Sequence, residues 1–228
     1  MRNVLIVGGT RGIGRALVDA YVAAGDSVWA TSRSPAAIPG ATVIEGVELA
    51  DDASCLALAG ELRALGAARL DIVVINAGIL RREYLPDFAG EGRHEAFARI
   101  QEQLEVNALG PLRVATALLD LLLPGSKLAV ISSRRGSVGD NTSGGSYGYR
   151  ISKAAVNMAF VTLARDLAPR GIIVSILHPG FVQTDLTGGK GDVAPAAAAR
   201  DLVARIDEAT LETSGQVFRH ATGEALPW

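Results

Sequence analysis

Asn3-Val4-Leu5-Ile6-Val7-Gly8-Gly9-Thr10-Arg11-Gly12-Ile13-Gly14 is the stretch on which the fold turns. An apolar, β-branched run ends in glycines, and beyond them Ala16, Leu17, Ala20 and Tyr21 recur at helical spacing. Strand, glycine turn and helix in that order open a βαβ unit. Glycines bring backbone amides close to a pyrophosphate, and the helix N-terminus offers unpaired N–H groups to its charge. A tight turn with no ligand is the plain alternative. The position of this turn after the first strand of a βαβ series favours a dinucleotide, with Gly8, Thr10, Arg11, Gly12, Ile13 and Gly14 as candidate contacts.

Working outward, further β-branched runs predict strands at Ser27–Thr31, Ala41–Glu45, Asp71–Asn76, Lys127–Ser132, Ile172–His178 and Gln216–Arg219. Ala/Leu-rich segments predict helices at Gly12–Ala24, Asp52–Leu65, Glu95–Leu123, Tyr149–Ala168 and Pro195–Asp207. The alternation implies a Rossmann-type, doubly wound, seven-stranded parallel sheet in a three-layer α/β/α domain spanning residues 1–228. Residues 81–92, 134–147 and 184–194 resist the pattern and read as loops. In such a fold, loops leaving the carboxyl ends of strands line the ligand crevice.

The 228 residues are 49% hydrophobic, enough for one domain with an extensive core. The formal net charge of -2 gives no basic excess for nucleic acid or an anionic membrane. One cysteine and three scattered histidines exclude a disulfide framework and a structural zinc site, and no metal ligand set is expected. No apolar run reaches the ~18 residues of a membrane span, and no cleavable leader is evident before Gly8. A cytoplasmic protein with a small-molecule partner is the expectation.

The second strand ends at Thr31-Ser32-Arg33, where an NAD site usually places a carboxylate against the ribose 2′-hydroxyl. None is present. A guanidinium at Arg33, with the Ser32 hydroxyl nearby and Arg11 from the glycine turn, suits a 2′-phosphate. NADP(H) is therefore the expected cofactor.

Tyr149 and Lys153 are four residues apart on a predicted helix and share a face. An ammonium near the phenol would lower its pKa from ~10 and suit it to proton transfer. Ser132 and Ser133, just after an apolar strand, could hydrogen-bond a carbonyl oxygen. Pro111 has no N–H for the carbonyl of Asn107, which is left free to hold water if residues 95–123 form one helix. Asn76-Ala77-Gly78 ends a strand on the same side, where small residues admit close backbone approach.

Together with Pro179-Gly180-Phe181-Val182-Gln183-Thr184, these motifs make the chain resemble a classical short-chain dehydrogenase/reductase over essentially its whole length. Ser132 to Ser137, Asn141 to Gly145, Tyr149-Arg150 and the ending Leu226-Pro227-Trp228 are similar to the branch of the C-factor and sniffer carbonyl reductases. The resemblance implies Tyr149 as acid/base and Ser133 as the carbonyl-polarising hydroxyl. It implies Lys153 on the nicotinamide ribose and Asn107 as anchor of a proton-relay water. It also places Glu48 and Leu49 near adenine, Asn76, Ala77 and Gly78 along the cofactor, and Pro179, Gly180, Val182 and Thr184 beside nicotinamide. The interval from Ser133 to Tyr149 is longer than the common family spacing, so Ser132 or Ser137 could take the place of Ser133.

The implied activity is an NADPH-dependent carbonyl reductase or alcohol dehydrogenase acting on a small ketone, aldehyde or alcohol. The alternative is a nucleotide-binding signalling protein of C-factor type with little turnover. A homodimer or homotetramer is expected through the two long helices, whose apolar residues exceed what one sheet face needs. The segment near 185–195, rich in glycine, is expected to form a mobile substrate loop.

Overall fold

The computed structural model describes residues 1–228, and its strands follow the period-2 rule of a sheet covered on both faces. Strands β1 (Asn3–Val7), β2 (Ser27–Thr31), β3 (Ala41–Ile44), β4 (Leu70–Ile75), β5 (Leu122–Ile131), β6 (Ile173–His178), β7 (Phe218–His220) and β8 (Ala225–Leu226) lie in the order β3-β2-β1-β4-β5-β6-β7-β8. All neighbours are parallel except the last pair. The sheet thus has eight strands, one more than the seven expected. The extra strand is two residues long, too short to show a periodic signal.

Six helices cover the faces: α1 (Gly12–Ala23), α2 (Asp52–Ala64), α3 (Arg93–Leu104), α4 (Gly110–Ala117), α5 (Tyr147–Leu167) and α6 (Pro195–Glu208). Val4 and Ile6 of β1 and Ile72 and Val74 of β4 pack with Leu17, Tyr21, Leu202 and Ile206 from α1 and α6. Alternate residues, Leu5, Val7, Val73 and Ile75, pack with Leu58, Leu62, Val114, Val156 and Phe160 from α2, α4 and α5. A one-residue slip of either central strand would exchange its two apolar sets between unlike helix layers. α2 is capped by Asp51, whose side chain accepts from the Ala53 amide at 3.0 Å.

The predicted helix over 95–123 is interrupted. Between α3 and α4 the chain makes a π turn over Glu105–Leu109, and the Gly110 amide donates to the Glu105 carbonyl, five residues back. Pro111 cannot donate, and the wider turn re-pairs the backbone just ahead of it. The helical stretch ends at Ala117, and β5 starts at Leu122, earlier than the predicted Lys127. Leu122 pairs with Leu70, and the next pairing is Lys127 with Ile72, so the residues between bulge outward around Pro124 and Gly125. Ser126 closes the bulge, its hydroxyl accepting from Leu123 and donating to the Leu70 carbonyl at 2.7 Å. The predicted α5 start at Tyr149 is also late by two residues: Ser146, at φ 52°, turns the chain into a helix that begins at Tyr147.

The strand order reverses between β1 and β4, which places a crevice outside their carboxyl ends.

Candidate active site

A cleft of about 960 Å³ opens at that reversal, at the upper end of the range of ligand pockets. Its first half is built by β1, β2 and α1. Gly8, at φ 81°, lies so close to Ala77 that a Cβ there would stand 2.8 Å from the Ala77 Cβ. The Gly8 amide donates to the Thr31 hydroxyl at 3.0 Å, locking the turn to β2. No side chain caps α1, so its first amides face the cleft as free donors. Thr10, Arg11, Gly12 and Ile13 line this end with Ser32, Arg33, Glu48 and Leu49.

Gly14 does not line the cleft. A Cβ there would lie 2.0 Å from the Gly8 carbonyl oxygen and 2.6 Å from Asn76 Nδ2, so Gly14 serves the close packing of α1 against the turn. Asn76 Nδ2 donates to the same carbonyl at 3.0 Å, bracing the ends of β1 and β4.

The Arg33 side chain is 63% exposed and 3.9 Å from the Glu48 carboxylate. The Ser32 hydroxyl is turned back onto the Ser34 carbonyl. Arg11 reaches the opposite lip, pairing with Asp185 at 2.9 Å.

The second half holds the reactive types. Tyr149 is 8% exposed and Ser133 9%, both on the cleft wall. Burial raises the Tyr149 phenol above its ordinary value, while a hydrogen bond with Ser133 and the Arg135 cation act the other way. Lys153 stands one turn further along α5. Its Nζ lies 5.8 Å from the centre of the Tyr149 ring and donates to the Ile131 carbonyl at 2.9 Å. Burial brings the Lys153 ammonium itself down to about 8.

The three serines separate by their partners. The Ser132 hydroxyl donates to Asn157 of α5, and the Ser137 hydroxyl accepts from the Asp140 amide at 3.0 Å. Ser133 alone meets Tyr149. The long interval to Tyr149 is taken up by a tight turn at Arg134–Gly136 and the loop to Ser146. A Cβ on Gly136 would lie 2.6 Å from the Lys153 backbone, so the turn sits hard against α5.

Asn107 lies at the π turn, fully buried and behind the cleft lining. Its amide is saturated: Nδ2 donates to the Ile79 carbonyl at 2.8 Å and to Ser152 at 3.1 Å, and Oδ1 accepts from the Ile79 amide at 2.8 Å. Pro179, Gly180, Val182 and Thr184 border the cleft from β6. Beyond them the loop is fastened rather than loose. Gln183 and Val193 bond backbone to backbone at 2.9 Å, the Thr187 hydroxyl donates to the Val182 carbonyl at 2.7 Å, and a Cβ on Gly191 would strike the Val182 carbonyl carbon at 2.2 Å.

Behind the cleft, Glu83 is fully buried, accepting from Gln103 Nε2 at 2.6 Å and from the Gly148 amide at 3.0 Å. It belongs to no spaced motif, so no signal in the sequence marks it. His178 ends β6, as the strand predicted over Ile172–His178 has it, and borders the cleft with its Nδ1 buried and unpaired; burial with His220 and Arg134 nearby lowers its pKa to about 3. Tyr147, two residues before Tyr149, lies edge-on to Phe88 with ring centres 5.1 Å apart and does not line the cleft.

The residues fit a nicotinamide dinucleotide. Lys153 Nζ is buried with two of its three N–H groups lacking a protein acceptor, and the uncapped α1 N-terminus faces the same cleft. Comparison with known proteins agrees. Residues 2–195 match the short chain dehydrogenase family. A curated relative, the 1-hydroxy-2-glutathionyl-2-methyl-3-butene dehydrogenase of Rhodococcus sp. (strain AD45), is 40% identical over 235 residues, covering 100% of both chains. The carbonyl reductase Sniffer of D. melanogaster superposes with a TM-score of 0.88 at 25% identity over 100% of both chains. An NADPH-bound carbonyl reductase from chicken fatty liver gives 0.88 at 27% identity over 100% of this chain and 99% of that one.

Proposed function

The chain belongs to the short-chain dehydrogenase family, and on that premise we propose that it is an NADPH-dependent oxidoreductase of the carbonyl reductase or alcohol dehydrogenase type. The observation that carries the reading is the placement of Ser133 and Tyr149 together on the wall of a cleft that also holds Lys153. A nicotinamide dinucleotide held in that cleft would supply the hydride for reduction of a carbonyl carbon, or accept it in oxidation of an alcohol.

The chain's own groups divide the remaining work. Tyr149 Oη gives its proton to the carbonyl oxygen, or takes it back in oxidation. Ser133 Oγ, on the same wall, holds that oxygen. Arg135 favours the tyrosinate left behind, which offsets part of the effect of burial. Lys153 presents its spare N–H groups to the nicotinamide ribose. Asn107 acts through structure: it fixes Ile79 and Ser152, and Pro111 leaves its carbonyl without a donor four residues ahead.

Gly8, Thr10, Arg11, Gly12 and Ile13 would surround the pyrophosphate, Arg33 and Ser32 the 2′-phosphate, and Glu48 and Leu49 the adenine. Asn76, Ala77 and Gly78 would border the nearer ribose, with Pro179, Gly180, Val182 and Thr184 beside nicotinamide. The absence of a carboxylate after β2 and the NADPH-bound neighbour support NADP(H). The named activity of the Rhodococcus relative, a dehydrogenase of a glutathionyl alcohol, supports a small-molecule alcohol or carbonyl substrate.

Two chains would meet on the outward stripe of α5 and the α3–α4 stretch, where Met158 is 68%, Ile151 46% and Leu109 43% exposed. Phe160 and Leu163 of the same helix lie in the chain's own core and take no part in that face.

The test is loss of NADPH absorbance with a panel of aldehydes, quinones and diketones. Turnover that Tyr149→Phe abolishes supports the reading. Binding of NADPH with no turnover across the panel overturns it in favour of a signalling role.

A further inference from the structure

The substrate half of the cleft carries more positive charge than its carboxylates neutralise. Arg81, Arg82, Arg134, Arg135 and Arg150 all line it. Arg81 is matched by Glu102 at 2.9 Å, and Arg134 by Glu224 at 3.2 Å and Asp140 at 3.4 Å. Arg82, Arg135 and Arg150 form no ion pair. Arg150 spends its Nε on the Gly145 carbonyl at 3.0 Å and Nη2 on Ser143 at 2.9 Å and Gly144 at 3.2 Å, holding the loop ahead of α5. Arg135 has one long contact, Nη1 to the Ser146 hydroxyl at 3.4 Å, and Arg82 has no side-chain partner.

Arg135 lies beside the reacting end, and Arg82 lines the same cleft. Arg135 sits in the turn that follows Ser133, close enough to act on the Tyr149 phenol and to disfavour a second cation at Arg150. Arg11 and Arg33 stand with the glycine turn and β2, where the reading above would use them for the phosphates of a dinucleotide. Unneutralised guanidinium groups in a concave site concentrate anions and pair two-pronged with carboxylates.

We propose that the substrate carries a carboxylate beyond its reacting carbon, and that Arg135 together with Arg82 binds it. This rests on the oxidoreductase reading above and names the substrate class of the same site. Arg150 adds to the field and keeps the loop in place.

The experiment compares two aldehydes matched in size and reactivity, 4-carboxybenzaldehyde and its methyl ester, by kcat/KM with NADPH. The wild type is expected to favour the acid about 10-fold or more, as charge-assisted bonds allow, with the ratio falling as salt rises. In Arg135→Gln/Arg82→Gln the ratio drops toward one, while Arg135→Lys keeps part of it. Because Arg135 also acts on Tyr149, the ratio and not either rate is the readout. If the Arg135 variants fold poorly, Arg82→Gln alone must still lower it. A ratio of one or less in the wild type, or one unchanged in the double variant, overturns the proposal. If neither aldehyde is reduced, the panel above judges the oxidoreductase reading separately, and calorimetry of 4-carboxybenzyl alcohol against its methyl ester on the NADPH-loaded protein decides the anion site. Tighter binding of the acid, lost in the double variant, supports it; equal binding overturns it.

Discussion

The buried carboxylate of Glu83 accepts a hydrogen bond from the Gly148 backbone amide at 3.0 Å, joining the loop after β4 to the first turn of α5. The same carboxylate takes Gln103 Nε2 of α3, so three segments meet on one side chain. A negative group at a helix N-terminus is stabilised by the free amides there. Glu83→Ala leaves the Gly148 amide buried without a partner and is expected to cost roughly 2–3 kcal/mol. Differential scanning calorimetry should show a Tm drop of about 4–12 °C, with a smaller loss in Glu83→Gln. An unchanged Tm in Glu83→Ala would show the bond to be dispensable.

Tyr149→Phe removes the proton donor without changing the shape of the cleft wall. Turnover should fall ~100- to 10,000-fold while NADPH titration by fluorescence stays near the wild-type value. A comparable loss in Tyr147→Phe, with Tyr149→Phe active, would move the role to the other tyrosine.

Arg33 and Glu48 stand 3.9 Å apart on the cleft wall beyond β2, and under the proposed NADPH reading their charges act oppositely on a 2′-phosphate. Arg33→Ala should weaken NADPH by about 10- to 150-fold and leave NADH nearly untouched. Glu48→Gln should do the reverse and tighten NADPH, because the repelling carboxylate is gone. Equal NADPH and NADH affinities in the wild type would refute the cofactor preference.

His178 ties stability to acid. The unfolded chain takes a proton there near 6.5, and the folded chain only near 3, because burial, His220 and Arg134 disfavour the cation. Between those values the unfolded state holds more protons, so stability is lost as the pH falls through that window. The slope from this group approaches about 1.4 kcal/mol per pH unit. Urea unfolding at pH 7 and pH 5 should therefore show a larger acid loss in the wild type than in His178→Gln; equal losses would contradict it.

Met158→Glu should shift a dimer toward monomer if the exposed stripe on α5 is the meeting surface. Light scattering is expected to give a mass above the 23.6 kDa of one chain for the wild type, and that value for the variant. A wild type at 23.6 kDa across micromolar concentrations would end the idea.

Most of the sheet was legible because its strands are β-branched runs covered on both faces, and the glycine turn marked the cleft by position. The signal failed where tertiary structure overrides local pattern. Leu119 to Leu123 is as leucine-rich as the helix before it, yet Leu122 pairs with Leu70 because Pro124 and Gly125 force a bulge. At the site, Tyr149, Lys153 and Ser133 were readable from spacing and order, whereas the charge of Arg135 beside them was not. Gly136 presses the turn that carries Arg135 onto α5 at Lys153, a fact of packing that no interval in the sequence encodes.

The ion pair between Arg11 and Asp185 spans the lips of the cleft. Both side chains are mostly exposed, so the pair is worth only about 0.2–1 kcal/mol and cannot hold the cleft shut. It acts instead as a latch that ligand traffic opens at small expense, and one whose strength ionic strength sets. Cofactor exchange should accordingly quicken in salt while the bound state, held by deeper contacts, changes less.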